Sequence, residues 1–478
     1  MTSPSPWAPA LRRTTLGVVA LVSLVAFEAM AVATAMPVAA RELDGLDLYA
    51  WSFTGFLVTS LFATAVAGDL ADRVGPRLPV LGGVATFAVG LVLAGVATSM
   101  VPFVAGRLVQ GLGGGAIIVG VYVLVGQAYA DELRPRIFSY LAAAWVLPAV
   151  VGPLVAGTVA ENLSWRLVFY GLLPLVVAPV LLLLRPLAAC HPGSPGSRRA
   201  GLAWLALALA VGAATMQLGG QQLERERVAV GAVVLAAGAV LLVPSLRRLT
   251  PPGTLRLRRG LPSVVALRGV QAGAFFGVEA FLPLMLVEHR GLSPTLAGAT
   301  LTGAALGWSA GSWWQGRPTL GVDRGRLAMV GSAVVLAGLL VTSTAVVTDP
   351  YVPAVVAASG WTVAGSGMGI TFSTLSVLLF RLSPPGEEGA SSAALQMSDA
   401  LGCVLTVGTG GVLYAWLHGH AGATLGRDGV EFGAVFALML VVQVASVIVA
   451  RRVLPSRDDR AHDETSTQTA GANDPALR

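Results

Sequence analysis

Apolar runs long enough to cross a bilayer recur along nearly the whole chain, and this limits the fold more than any single residue does. They lie near 15–39, 49–67, 78–98, 101–128, 137–159 and 166–185, then 201–219 and 228–246, then 261–287, 293–314, 326–347, 351–381, 389–417 and 430–450. About 20 residues of helix cross a hydrocarbon core. Inside lipid the backbone must satisfy its own hydrogen bonds, which a helix does within one segment. The expected fold is therefore an all-α polytopic membrane protein with 14 transmembrane helices, grouped six, two and six. Composition agrees: 55% of residues are hydrophobic and 12% charged, against about 25% charged in soluble domains. The 58 glycines suit helices packed closely in lipid. The first run is too long for a signal peptide, contains Glu28 and is followed by many more runs, so it reads as a retained helix.

The polar segments divide the chain. Residues 1–14 form a lead, 15–185 a first six-helix bundle, 186–260 a linker carrying two extra spans, 261–450 a second six-helix bundle, and 451–478 a polar tail expected to be disordered. All 31 basic residues are arginine. With both termini cytoplasmic, 23 of them fall on the cytoplasmic side, six outside and two within spans, the bias expected of cytoplasmic loops. Their spread over many loops removes a nucleic-acid role for the +6 net charge. Cys190 and Cys403, in a linker and a span, match neither a disulfide nor a metal pattern. His418 and His420 lack further ligands at metal spacing. There is no Walker loop or nucleophile elbow, so neither nucleotide-driven transport nor enzymatic chemistry has support.

The loop Gly68–Arg77, GDLADRVGPR, sits between the second and third runs. Gly68 lets helices approach, Asp69 and Asp72 can face a helix N-terminus or pair with arginine, Gly75 supplies a turn, Pro76 breaks the helix, and Arg73 and Arg77 hold the loop in the cytoplasm. Gly68, Leu70, Ala71, Asp72, Arg73, Gly75 and Arg77 match every fixed position of a pattern, so the loop resembles the signature between helices 2 and 3 of the major facilitator superfamily. A weak echo runs from Glu279 to GSWWQGRPTLGVDRGR without the first loop's aspartates, as two related halves require. Residues Pro148, Gly152, Pro153 and Gly157 in the fifth span resemble the antiporter motif of exporters in that superfamily, and a kink is expected at Gly152–Pro153. Trp165, Arg166 and Phe169 resemble a sequence common in its drug-exporting branches. The FEAMAVATAMP stretch resembles the first-span motif of the fourteen-span drug/proton antiporters, with Glu28 in the acid's place and Thr and Asn missing.

Charged residues within spans mark the chemistry. Glu28, near the middle of the first span, can load and release a proton if burial raises its affinity for one. Arg107 cannot discharge itself and needs acceptors. With Gln110 and Gly111 it matches the superfamily's helix-4 pattern, and the resemblance implies a part in proton coupling. Glu279 lies eleven residues beyond Arg268, on the same helix face. It is either a second proton or cation site or an outer-vestibule residue that never titrates. Asp399 is the third intramembrane acid and a further proton-coupling candidate. Gln110, Gln271, Phe275 and Gln396 are candidates for a substrate cavity, with Phe276, Trp308, Trp313 and Trp314 either lining it or facing lipid. The implied protein is a monomeric cell-membrane antiporter that exports small amphipathic compounds against a proton gradient, with no cofactor. The Gly68–Arg77 loop would latch the cytoplasmic ends, through Asp131 or Glu132 or the start of the thirteenth helix near Glu388. A proton-coupled importer or metabolite facilitator, and a non-transporting sensor, are the alternatives.

Overall fold

The computed structural model describes residues 5–44, 49–190, 201–224, 228–292, 294–317, 321–347, 354–424 and 429–454. Among them the chain is helix and turn, with no strand. The first half holds α1 (Arg12–Glu42), α2 (Tyr49–Val74), α3 (Arg77–Gly95), α4 (Met100–Ala128), α5 (Arg134–Ala143), α6 (Val146–Val159) and α7 (Arg166–Ala189). Then come α8 (Leu202–Glu224) and α9 (Val228–Leu249). The second half holds α10 (Leu261–Leu284), α11 (Pro294–Gln315), α12 (Arg324–Val347), α13 (Ala354–Leu382), α14 (Glu388–Thr424) and α15 (Val430–Ala450). The start of α1 and the end of α15 share one side of the molecule with the α2–α3 and α13–α14 loops, here termed the terminal face; the opposite side is the distal face.

Among the described residues, 12 helices are long and apolar enough to cross a membrane. The expected count of fourteen exceeds this at two runs. The run at 137–159 is split into α5 and α6 by a turn at Ala144–Trp145, so neither piece is long enough alone. The expected kink at Gly152–Pro153 is thus displaced: α6 stays helical through both residues, and the break lies four residues before Pro148. A proline ring displaces the carbonyl of residue i−4 and offers that carbonyl no donor, so Pro148 accounts for the break. The other run is α11, rich in Gly, Ser and Thr. The lead also departs from expectation. Trp7 packs against Tyr140 of α5, with ring centres 5.7 Å apart and planes tilted by 40°, and donates to its hydroxyl, and α1 already begins at Arg12. The break at 191–200, the stretch 225–227 and the tail beyond 454 lie outside the described residues, as do the side chains of His418 and His420.

Packing repeats between the halves. In the first, α4 lies against α2 and α3 and α1 against α7; in the second, α13 lies against α11 and α12 and α10 against α15. Small residues set these distances. A Cβ added at Gly111 of α4 would sit 2.2 Å from the Phe56 carbonyl of α2, and one at Gly369 of α13 1.9 Å from the Trp308 carbonyl of α11. Backbones this close gain dispersion contacts that larger residues forbid, which is how helices associate where lipid removes the hydrophobic drive. The helices α8 and α9 pack on each other, and α8 also lies against both α2 and α14.

Candidate functional site

Three polar assemblies stand out along the axis between the halves. The first is inside the first bundle. Glu28 of α1 and Arg107 of α4 form a salt bridge, both nearly fully buried. Gln110 donates to the same Glu28 oxygen at 2.9 Å and accepts from Arg107 at 2.7 Å. Arg107 also donates to the Ser52 carbonyl at 3.0 Å and lies 4.7 Å from the Phe56 ring centre. The guanidinium thus meets a carboxylate, an amide, a carbonyl and a π face. A buried pair whose partner is removed loses about 3–5 kcal/mol, so this cluster tolerates protonation or conformational change more readily than truncation. Gln110 is fully buried here and spent on the ion pair, which corrects its expected place on a substrate cavity. Gly152 of α6 packs beside the cluster: a Cβ there would come 3.1 Å from Met30 and 3.8 Å from the Phe27 carbonyl. The stretch that resembles the antiporter motif therefore abuts the helix turn that carries Glu28. Gly157 follows on the same helix.

The second assembly joins α10 to α14. Arg268 donates to one Asp399 oxygen from two nitrogens, at 3.0 and 2.9 Å, and stacks 3.5 Å from the Phe372 ring centre. This pairing across 131 positions lay beyond the reach of the sequence, which placed Arg268 only relative to Glu279. The other Asp399 oxygen, Oδ1, and Oε1 of Gln396 one turn away are buried with no donor among the described residues. Glu279, farther toward the distal end of α10, has no hydrogen bond or ion pair among the described residues and keeps some accessible surface.

Two cavity candidates belong to the core instead. Gln271 is fully buried; its oxygen accepts from Ser332 at 2.6 Å and Ser446 at 2.8 Å, tying α10 to α12 and α15. Phe275 is buried in a stack on Trp361 at 4.3 Å. Helical spacing puts a residue on a face, but which neighbour covers that face is a tertiary fact. Trp313 and Trp314 are exposed on the outer surface, with Arg317 over Trp313 at 3.9 Å. Trp308 and Phe276 remain part-exposed inside.

The third assembly closes the terminal face. Asp72 accepts from the backbone N–H groups of Gly389, at 2.5 Å, and Ala390, at 2.8 Å, in the first turn of α14. A carboxylate suits the positive end of a helix. Gly68 makes this possible: a Cβ on it would lie 2.6 Å from the Gly389 carbonyl, and one on Gly389 2.4 Å from the Gly68 carbonyl. Gly75 turns the chain at a φ of 81°, and α3 begins at Arg77. The expected link near Glu388 is therefore present, one residue on. The other expected partner is not: Arg73 pairs with Asp69 one turn back, while Asp131 pairs with Arg134. Local pairs three or four residues apart, one along α2 and one at the start of α5, outcompete a distant one at little entropic cost. On the opposite seam, Ser139 of α5 donates to the Ser312 carbonyl of α11, and Gln315 donates to the Pro135 carbonyl at 3.3 Å. Both seams between the halves are thus shut at the terminal face. At the distal face Glu42 takes a hydrogen bond from Trp165 at 2.8 Å and an ion pair from Arg166, which holds its carboxyl below the ordinary range.

The Major Facilitator Superfamily profile matches residues 18–407. The chain is 24% identical over 387 residues to the multidrug transporter protein MdtP of Bacillus subtilis, covering 79% of this chain and 70% of that one. It is 34% identical over 172 residues to the acurin A biosynthesis cluster MFS-type transporter of Aspergillus aculeatus, where the match spans 36% of this chain and only 31% of that protein. The human organic anion transporter MFSD10 superposes with a TM-score of 0.69 at 14% identity, over 92% of this chain and 99% of that one, a likeness of fold alone. With its two matching halves, its glycine-set seams and a profile match that covers most of its length, the chain belongs to the Major Facilitator Superfamily, a family of membrane carriers rather than enzymes.

Proposed function

We propose that the chain is a proton-coupled antiporter that exports small amphipathic compounds from the cytoplasm by alternating access. The observation that carries this reading is the buried Glu28, held by Arg107 and Gln110 in mid-span while the terminal face is closed. With the terminal face closed, the distal side is the route by which this reading brings protons in. A proton reaching Glu28 from there neutralises it and weakens its hold on Arg107. The guanidinium keeps Ser52 and Gln110 as acceptors, so it stays solvated while the α1–α4 contact loosens. Protonation of Asp399 would supply one donor to a region with two orphaned acceptors, Oδ1 of Asp399 and Oε1 of Gln396. Opening the terminal face then releases protons to the cytoplasm and admits substrate. Export as the direction rests on the resemblance of Gly152, Pro153 and Gly157 to the exporters' motif, with Gly152 packed against α1, and on the likeness to a named multidrug transporter.

In this reading α5 with α6 makes one broken span and α11 another, giving fourteen. The α8–α9 hairpin is the extra pair, and both termini are cytoplasmic, the side that then carries 23 of the 31 arginines. The partners are a small-molecule substrate and the bilayer, and the unit is a monomer with no cofactor beyond the proton gradient. The test is proton movement in inverted vesicles energised with a pH gradient, with a panel of cationic and neutral drugs added to wild type and Glu28→Gln. A compound that collapses the gradient only with wild type supports the reading. Uptake in the opposite direction, or no response across the panel, sinks it.

A further inference from the structure

The loop between α9 and α10 is folded backbone, not a slack connection. Thr254 is buried in it, at the start of a short 3-10 helix flanked by Gly253 at a φ of 94° and Leu257 at a φ of 53°. The left-handed region is unfavourable for a residue with a Cβ, and hydrogen bonds hold the chain there. Arg256 and Arg258 donate their backbone N–H groups to the Gly253 carbonyl at 3.0 and 3.2 Å, and the Ser263 hydroxyl donates to the Arg258 carbonyl at 2.6 Å. Gly260 donates to the Arg452 carbonyl at 3.0 Å, and the Arg452 side chain returns a bond to the Leu257 carbonyl at 3.4 Å. The loop is thereby tied to the end of α15.

This backbone gathers charge of one sign. Arg256, Arg258 and Arg259 are exposed on the loop, and Arg247 and Arg248 are exposed in the last turn of α9. Arg451 and Arg452 add to them just past α15. Among the described residues none of these arginines forms a salt bridge, and the stretch 247–260 contains no acid. Asp323 lies at the start of α12, where Gly325 packs beside Leu454, but the backbone N–H groups of Gly325 and Arg326 occupy it at 2.9 and 3.2 Å. Like charges held together repel one another, so an anion on the patch relieves a cost that the folded loop otherwise carries. Position selects the anion. The helix α9 packs on α8 and leaves Val230, Val233, Val240 and Val243 exposed, so its outer face meets lipid and the loop starts at the bilayer edge of the terminal face. Leu255 is exposed beside Arg256. Basic residues next to a span, with an apolar side chain among them, suit phosphate headgroups and the acyl chains beneath. A topology signal needs only arginines somewhere on a loop; it needs neither the left-handed turn nor the tie to α15.

We propose that the α9–α10 loop, with the end of α15, is a docking site for anionic phospholipid headgroups in the leaflet at the terminal face, centred on Arg256, Arg258 and Arg259. This goes beyond the antiporter reading and does not rest on it. The experiment titrates phosphatidylglycerol, with phosphatidylcholine as the neutral comparison, into the full-length protein purified in a non-ionic detergent, and native mass spectrometry counts bound lipid. Size-exclusion profiles report folding. Wild type should hold phosphatidylglycerol in preference to phosphatidylcholine. The triple variant Arg256→Gln, Arg258→Gln, Arg259→Gln should weaken phosphatidylglycerol binding at least about tenfold, since each arginine at an anionic surface contributes a few-fold. The control triple Arg12→Gln, Arg13→Gln, Arg185→Gln removes as much exposed charge from the same face and should change binding less than about twofold. Gly253→Val keeps every charge but sets a Cβ 2.5 Å from the Arg258 side chain at a φ of 94°, and should weaken binding several-fold. Equal losses in the two triple variants reduce the patch to net charge and overturn the proposal. So does wild type without a preference for phosphatidylglycerol, or a monodisperse Gly253→Val that binds like wild type. Displacement of the lipid by an equal concentration of inorganic phosphate makes this a phosphate site and overturns the lipid assignment.

Discussion

Removing the carboxylate of Asp72 should open the terminal face. That group accepts two backbone N–H bonds from α14, at 2.5 and 2.8 Å, across the seam between the halves. Hydrogen bonds to a charged group contribute about 1.5–3 kcal/mol each, and the part-exposed setting reduces this, so about 2 kcal/mol for the pair is a fair figure. The bonds exist only while the face is closed, so their loss falls wholly on that state. At 1.36 kcal/mol per factor of ten, the open-to-closed ratio of Asp72→Ala rises about thirtyfold. Gly68→Ala should act in the same direction by a different cause, since its new Cβ would meet the Gly389 carbonyl at 2.6 Å and overpacking costs about 1–3 kcal/mol. Asp72→Asn keeps one acceptor and should fall between. The assay is electron–electron resonance between spin labels at Val74 and Pro385, both exposed beside the seam, after replacement of Cys190 and Cys403. Wild type should show one short distance, and Asp72→Ala and Gly68→Ala a growing longer one. Distributions identical to wild type in both variants would refute the latch.

Other expectations are narrower. Arg107→Ala should lower thermal stability by about 3–5 kcal/mol, because it strands Glu28 in the interior, whereas Glu28→Gln should lower it far less and abolish proton coupling; calorimetry with the vesicle assay separates the two. Gln271→Leu should cost about 1–3 kcal/mol by leaving the Ser332 and Ser446 hydroxyls without their acceptor, with proton coupling unchanged. Burial pushes the Tyr129 hydroxyl up to about 12, partly offset by its hydrogen bond with Thr15. The folded state therefore keeps that proton between pH 10 and 12 while the unfolded chain loses it, so stability should fall across that window, and Tyr129→Phe should flatten the fall.

The helices were legible because bilayer thickness writes itself into run length, and every long run falls on a helix or a broken pair. The Asp72 contact with α14 was legible for a local reason: a short acidic loop can satisfy itself at a helix start. What the chain hid was partner choice. Arg73 had Asp69 one turn away and took it over Asp131. Arg268 found an acid 131 positions on. The α5–α6 break answered Pro148 rather than the more conspicuous Gly152–Pro153. Gln271 and Phe275 carry polarity and aromaticity that suit a cavity, but adjacent helices claimed both first. Glu279 is the converse, singled out in sequence and left without a claimant among the described residues.

The two seams of the terminal face are made of different materials. One is ionic, a carboxylate against the positive end of α14. The other is neutral, with Ser139 and Gln315 exchanging hydrogen bonds across α5 and α11. Salt and acid weaken the first and leave the second almost untouched. Such a face need not part symmetrically. Released on the ionic side, it swings like a door hung on the neutral one, with the wider gap along α2 and α14, where α8 also lies.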